Sequence, residues 1–297
     1  MPFSRKTTSV KVSRFLIYGA LILFGLTTLY PFYYFLILSF NDGMDAVRGG
    51  IYLWPRKFTL ANYLKAFENP NITGAFSISL FRTVAGTAIS LVLNSLLAYG
   101  LTKKDLPFRK QITFYLFFTT IFTGGMIPFY ILLSQMGLTK SIWIYVVPYL
   151  FVFFYMVIIR TSFESIPAEL SEAALIDGCE EIQMLFKIHL PLSLPVMATM
   201  ALFFGVYHWN DWFTGAFYVS NKSMVPAATL LQQLMTEASF EASGGVSREM
   251  PGRLSLQTTP EALRMAFLVI TTLPIVCIYP FIQKYFTKGI MVGSVKG

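Results

Sequence analysis

Charge is scarce in this sequence. Asp, Glu, Lys and Arg together make up 13% of its 297 residues, about half the roughly 25% of an average soluble domain. A soluble chain of this length can bury a sizeable core, but so few charges cannot cover its surface. Cysteine is nearly missing too. Cys179 and Cys277 stand far apart with no metal-ligand spacing, which leaves no disulfide framework and no zinc or other metal site. Only two histidines occur, His189 and His208, so a Ser/His/Asp site is hard to assemble. No G-x-x-x-x-G-K-[ST] run exists, so the chain does not itself cradle ATP in a P-loop. There is no internal repeat and no low-complexity tract. These absences disfavour a cytosolic enzyme, a disordered protein and a disulfide-stapled secreted domain.

What is present is apolar surface. Hydrophobic residues reach 55% and aromatics 16%, with a mean hydropathy of +0.60. That composition points to an all-α, polytopic membrane protein. Six stretches are long and uncharged enough to cross a bilayer, which takes about 20 apolar residues each. They are Phe15–Asn41, a segment from near Phe76 to Thr102, Gln111 toward Ser134, Ser141–Ile159, Leu190–Trp209, and the run between Arg264 and Lys284. The first follows four basic residues, as a signal peptide would. Its 27 residues exceed a secretory apolar core of about 7–15, and no small-residue cleavage site closes it, so it is read as an uncleaved span. In the second, Gly86, Ser90, Asn94 and Ala98 recur every four residues, a small-residue face suited to close helix packing. Pro148, Pro274 and Pro280 fall inside spans, where neighbouring groups can satisfy the freed carbonyls.

The net charge of +8 would suggest nucleic acid in a soluble chain. Here it fits a membrane protein with basic cytoplasmic ends, and no nucleic-acid partner is expected. Four Lys/Arg lie in the first fourteen residues and four more in Lys103–Lys110. Dense short segments carry the positive-inside signal, which places both termini in the cytoplasm. Residues 1–14 then form a cytoplasmic segment, 15–283 the six-span domain and 284–297 a cytoplasmic tail. External loops cover about 42–75 and 210–263. The spans are nearly free of charge, so proton or sodium coupling has little support. Arg82 is read as snorkelling from the second span to the interface, and His208 as an interfacial histidine beside an aromatic belt.

The loop between spans four and five, about 160–192, differs from the rest. From Glu164 to Glu181 it holds six acids. Pro167 can open a helix, early acids suit its dipole, and Gly178 allows a turn after Asp177. A second helix from Glu180 to about Ile188 leads into Leu190-Pro191. Glu172-Ala173-Ala174, three residues, Gly178, nine residues, then Ile188-x-Leu190-Pro191 resembles the EAA loop of bacterial ABC importer permeases. Cys179 and His189 are mild departures from that pattern. The tail Gly293-Ser294-Val295-Lys296-Gly297 and the Trp209-Asn210 pair are similar to those of the maltose-type carbohydrate branch, closest to importers of oligosaccharides released from polysaccharides.

The resemblance implies a type I ABC importer permease fold with six transmembrane helices in the bacterial cytoplasmic (inner) membrane. It implies a second homologous permease, two ATPase subunits and an extracellular solute-binding protein as partners, with membrane lipid around them. ATP and Mg would be bound by the ATPase, with no cofactor and no catalytic residue on this chain. Glu172, Ala173, Ala174, Asp177, Gly178, Ile188, Leu190 and Pro191 would couple to the ATPase, and the tail from Gly293 to Gly297 would reach it. Asn94, Tyr207, Trp209, Asn210 and Trp212 combine aromatic rings and polar groups and are candidates for the substrate path, because aromatic faces stack on sugar rings. An importer for a non-sugar solute is the nearer alternative. A stand-alone channel or carrier is the further one, and an intramembrane enzyme would need paired catalytic groups that the spans lack.

Overall fold

The computed structural model describes residues 4–68, 70–242 and 259–294. Among these, helix is the only extended secondary structure, and the one β-type contact is an isolated bridge between Asn41 and Phe58. The chain divides into two compact units. One holds the residues up to 69 with 237–271, and the other holds 70–236 with those from 272 on.

In the first unit, α1 (Ser4–Ser39) is apolar on every side beyond Arg14. Phe15, Leu16, Ile22 and Phe24 are all exposed, as expected of a helix that lipid rather than protein surrounds. After it, the short helices α2 (Gly43–Val47) and α3 (Ala61–Glu68) are tied down by polar side chains. The Asn62 amide donates to the carbonyls of Ser39 and Asn41, each at 2.9 Å. Asn41 donates to Asp45 and accepts from the Lys57 backbone N–H, and Arg56 donates to the same Asp45 carboxylate at 3.1 Å.

The second unit begins with α4 (Pro70–Thr102), a continuous 33-residue helix. It starts earlier than the sequence suggested, at Pro70 rather than near Phe76. Then come α5 (Arg109–Ile121), α6 (Met126–Gln135), a series of 3-10 turns between Leu138 and Tyr149, and α7 (Phe153–Glu164). The EAA-like loop follows as α8 (Ala168–Ile176), α9 (Glu181–Met184), one π turn (Leu185–His189) and α10 (Leu190–Leu192). The chain continues with α11 (Leu194–Asn210), α12 (Phe213–Phe217), α13 (Ala227–Ala242) and α14 (Pro260–Ser294).

Among the described residues three segments, within α1, α4 and α14, are long and apolar enough to cross a membrane on their own, and the number rises to six when each of three bent helix pairs is taken as one span. The third and fourth spans are therefore not the single helices that were expected. The axis turns by 113° between α5 and α6, at Gly124-Gly125, and by 54° between the 3-10 turns and α7. Gly125 has φ +88, a conformation glycine adopts without steric cost. Proline 148 lies within the 3-10 stretch, where its missing N–H ends regular helix pairing. The helix expected over Glu180–Ile188 is α only through Met184 and then widens into the π turn. The sixth span is a longer helix than expected and reaches Ser294.

Apolar side chains of α4, α7 and α11 make the main core of this unit. Ala98, Met156, Ile159 and Phe204 there are fully buried.

Candidate functional site

Three places in the second unit combine polar side chains with tight packing. The first is the EAA-like loop. Pro167 caps α8 with Glu169 in its first turn, and Asp177 closes it. Gly178 sits at φ +77, a left-handed position that suits glycine at a helix end. The Cys179 N–H reaches back to the Ala174 carbonyl at 2.9 Å. No residue of α8 is buried, and Ile176 is 87% exposed. Residues 169, 172, 173 and 176 share one helix face by their spacing, so Glu172, Ala173 and Ile176 form an outward, partner-free surface. Asp177 and Gly178 are exposed beside it. Ala174, Ile188 and Leu190 instead pack against the core, whereas Pro191 is exposed. The nominated motif thus divides into an outer face and an inner anchor.

The second place joins this loop to α4, and the sequence analysis passed over most of it. Lys103, just past α4, pairs with Glu181 at 2.6 Å, and the Tyr99 hydroxyl donates to the same oxygen at 2.5 Å. The Lys103 ammonium lies 4.7 Å from the Tyr99 ring centroid. His189 packs edge-on to Tyr99 at 4.9 Å and to Phe163 at 5.5 Å. Its Nε2 lies 3.2 Å from Ser171 Oγ on α8. Side chains therefore connect α8 and the π turn to the end of the longest span. The only signal in the sequence was His189, which stands out from the resemblance.

The third place lies in the helix bundle. Arg82 is fully buried twelve residues into α4, which corrects its reading as a snorkelling arginine. Its Nη1 donates to the Asp211 carbonyl at 2.7 Å, its Nη2 pairs with the Asp211 carboxylate, and its guanidinium sits 4.6 Å from the Tyr145 ring centroid. His208 is also fully buried rather than interfacial. Its ring is pressed onto Gly86, where a Cβ would stand 2.5 Å from Nε2. Glycine is needed there for the close approach of α4 and α11.

The substrate-path candidates do not share one surface. Asn94 is buried and braces the break before α7. Its Nδ2 donates to the carbonyls of Ser90 and Leu150 at 2.7 and 2.8 Å, and its Oδ1 accepts from the Val152 N–H at 3.3 Å. Tyr207 is 40% exposed with its ring 5.8 Å from Tyr149. Trp209 turns the other way, 6.2 Å from Phe76, and lines a groove of about 690 Å³ among α4, α11 and α14. That groove is walled mainly by Leu, Val, Ile and Ala side chains. Asn210 is exposed at the end of α11, and the partly exposed Trp212 packs on Phe213 and Phe217. In the tail, Gly293 and Ser294 end α14, and Val295, Lys296 and Gly297 lie outside the described residues. Among the described residues no group of His, Cys, Asp and Glu is arranged to hold a metal.

Residues 108–292 match the family described as binding-protein-dependent transport system inner membrane component. The chain belongs to that family. It is 39% identical to the polygalacturonan/rhamnogalacturonan transport system permease protein YtcP of Bacillus subtilis (strain 168), covering 95% of this chain and 97% of that one. It is 36% identical to Protein LplC of the same organism, over 92% and 91%. Among solved structures it matches a chain of a bacterial ABC transporter involved in the import of the acidic polysaccharide alginate. That match has a TM-score of 0.84 at 27% identity and covers 96% of this chain and 100% of that one. The fold is that of an ABC importer permease, and the chain is a membrane transport component.

Proposed function

We propose that this chain is the transmembrane permease of an importer driven by a separate ATPase, and that it passes an oligosaccharide inward from an extracellular binding protein. The observation that carries the reading is the outward face of α8. Glu172, Ala173 and Ile176 stand exposed on a short helix that nothing among the described residues covers, held by a glycine turn and anchored below by Ala174, Ile188 and Leu190. Alanine lets a partner approach closely, and Glu172 can accept a charge-assisted hydrogen bond. An ATPase groove is the occupant this reading assigns.

The rest of the assembly follows from that assignment. Two ATPase subunits hold the ATP and Mg, and a second permease completes the pore. Both termini lie in the cytoplasm, with the tail from Gly293 to Gly297 facing the ATPase. Tyr207, Trp209, Asn210 and Trp212 lie near one end of α11 but on different surfaces, and are the candidate sugar contacts. Uronate-bearing oligosaccharides are the first substrates to try, given what the similar YtcP and alginate proteins are named for.

The test is a pull-down of tagged chain from mild detergent, with ATPase activity assayed with and without sugar-loaded binding protein. Co-purification of an ATPase and a second permease, with hydrolysis stimulated by the loaded binding protein, supports the reading. A chain that purifies alone speaks for a channel or carrier.

A further inference from the structure

A pocket of about 410 Å³ opens between the start of α5 and the length of α7. Arg109, Lys110 and Arg160 line it together with Thr113, Phe114, Phe117 and Phe153. Its charge is not balanced among the described residues. A single oxygen, Glu164 Oε1, accepts from Arg109 Nη2 at 3.1 Å and from Arg160 Nε at 2.8 Å. Lys110 makes no ion pair among the described residues. Two arginines thus share one carboxylate, and Lys110 adds a third cation beside them. Arg109 is fixed in place because its Nε donates to the Leu101 carbonyl at 2.7 Å. Both arginines are partly buried, with side chains 27% and 21% exposed.

The aromatic part is equally unmatched. Phe114 is 66% exposed and Phe117 42%, and the Phe117 ring packs 5.5 Å from Phe153. Cations at a membrane boundary above an apolar slot are complementary to a molecule with an anionic head and a hydrocarbon tail. We propose that this pocket binds an anionic phospholipid, its phosphodiester between Lys110, Arg109 and Arg160 and an acyl chain along Phe114 and Phe117. Basic pockets between membrane helices hold such headgroups by the same electrostatics. A free phosphate leaves the phenylalanines unused, and a zwitterionic lipid brings a cation toward three others. The inference does not depend on which solute the protein carries or on the ATPase reading.

The chain, purified with whatever subunits accompany it, is delipidated in neutral detergent. It is then titrated with micelles containing phosphatidylglycerol or phosphatidylcholine, with inorganic phosphate as a third arm. Native mass spectrometry counts retained lipid. Phosphatidylglycerol should be held in preference, and Lys110→Gln should weaken its retention about fivefold, the worth of one cation near an anionic headgroup. Lys110→Arg should keep it, and so should Lys104→Gln, which removes an exposed cation outside the pocket. Equal loss in Lys104→Gln and Lys110→Gln, equal retention of the two lipids, or displacement of lipid by millimolar phosphate would each overturn the proposal.

Discussion

The guanidinium of Arg82 and the carboxylate of Asp211, 129 positions apart in the chain, meet at 2.5 Å inside the helix bundle. The arginine is fully buried, and the Asp211 side chain is 11% exposed. Thr214 N–H also donates to Asp211, at 3.2 Å, and Tyr145 covers the guanidinium. The pair fastens α4 to the end of α11 and fixes where the chain leaves that helix.

Breaking a buried pair leaves one charge stranded, at a cost of about 3–5 kcal/mol. Replacing both members with apolar groups is often much less harmful. Asp211→Leu alone should lower the amount of folded protein and its melting temperature in detergent more than the Arg82→Met/Asp211→Leu double variant does. Fluorescence-detected gel filtration after heating reads this. A double variant worse than either single would show that the pair stabilises beyond mutual neutralisation.

A bulky charge on the outer face of α8 should separate transport from membrane insertion. Ala173 is exposed and contacts no core residue, so Ala173→Glu should leave expression and thermal stability within about 0.5 kcal/mol, as exposed substitutions do. Sugar uptake and ATPase co-purification should both fall at least tenfold. Unchanged uptake in this variant would remove the case for docking there.

The Lys103–Glu181 pair makes a different demand. Glu181 is 54% exposed and Lys103 30%, so their attraction adds little to stability, about 0–1 kcal/mol. If the pair links α8 movement to α4, Glu181→Gln should lower sugar transported per ATP hydrolysed while melting stays the same. The exchanged pair Lys103→Glu/Glu181→Lys should recover part of that ratio. Loss of stability in step with loss of transport would make the pair merely structural.

Asp45 gives the segment between α1 and α4 a pH dependence. The Asn41 amide, with Arg56 and Lys57 beside it, holds the Asp45 carboxyl below its ordinary value against the opposing effect of burial. A carboxyl held down in the folded chain stabilises it while ionised. That contribution is complete above the titration of a free aspartate, near pH 3.9. It is lost as pH falls further, through the folded value. Hydrogen exchange over residues 40–60 should therefore be slow and flat from pH 5 to 8, after correction for intrinsic rates, and should rise below about pH 4. Asp45→Asn should abolish the step.

Much of this was legible in the sequence because it rests on local rules. Apolar runs gave the six-span count, and the EAA spacing with Gly178 gave a helix, a turn and a second helix that the structure contains in that order. What stayed hidden depends on distant partners. Nothing near Arg82 in sequence indicates Asp211, so an arginine close to the expected edge of a span looked like a snorkelling one. The start of α4 at Pro70 rather than near Phe76 moved it inward. The break before α7 was equally obscure, because the groups that compensate for it belong to another helix.

Asn94 is one of those groups, and it separates two roles. As a sugar contact it should affect uptake alone. In the structure its amide already serves Ser90, Leu150 and Val152, the last two flanking the break. Asn94→Ala would leave the partly buried Leu150 carbonyl and Val152 N–H without this partner, each costing at most about 1–3 kcal/mol. We expect a lower melting temperature and faster hydrogen exchange at residues 150–153, with the KM for sugar unchanged in whatever folded protein remains. A raised KM with an intact melting curve would return Asn94 to the substrate path and assign the brace to its neighbours.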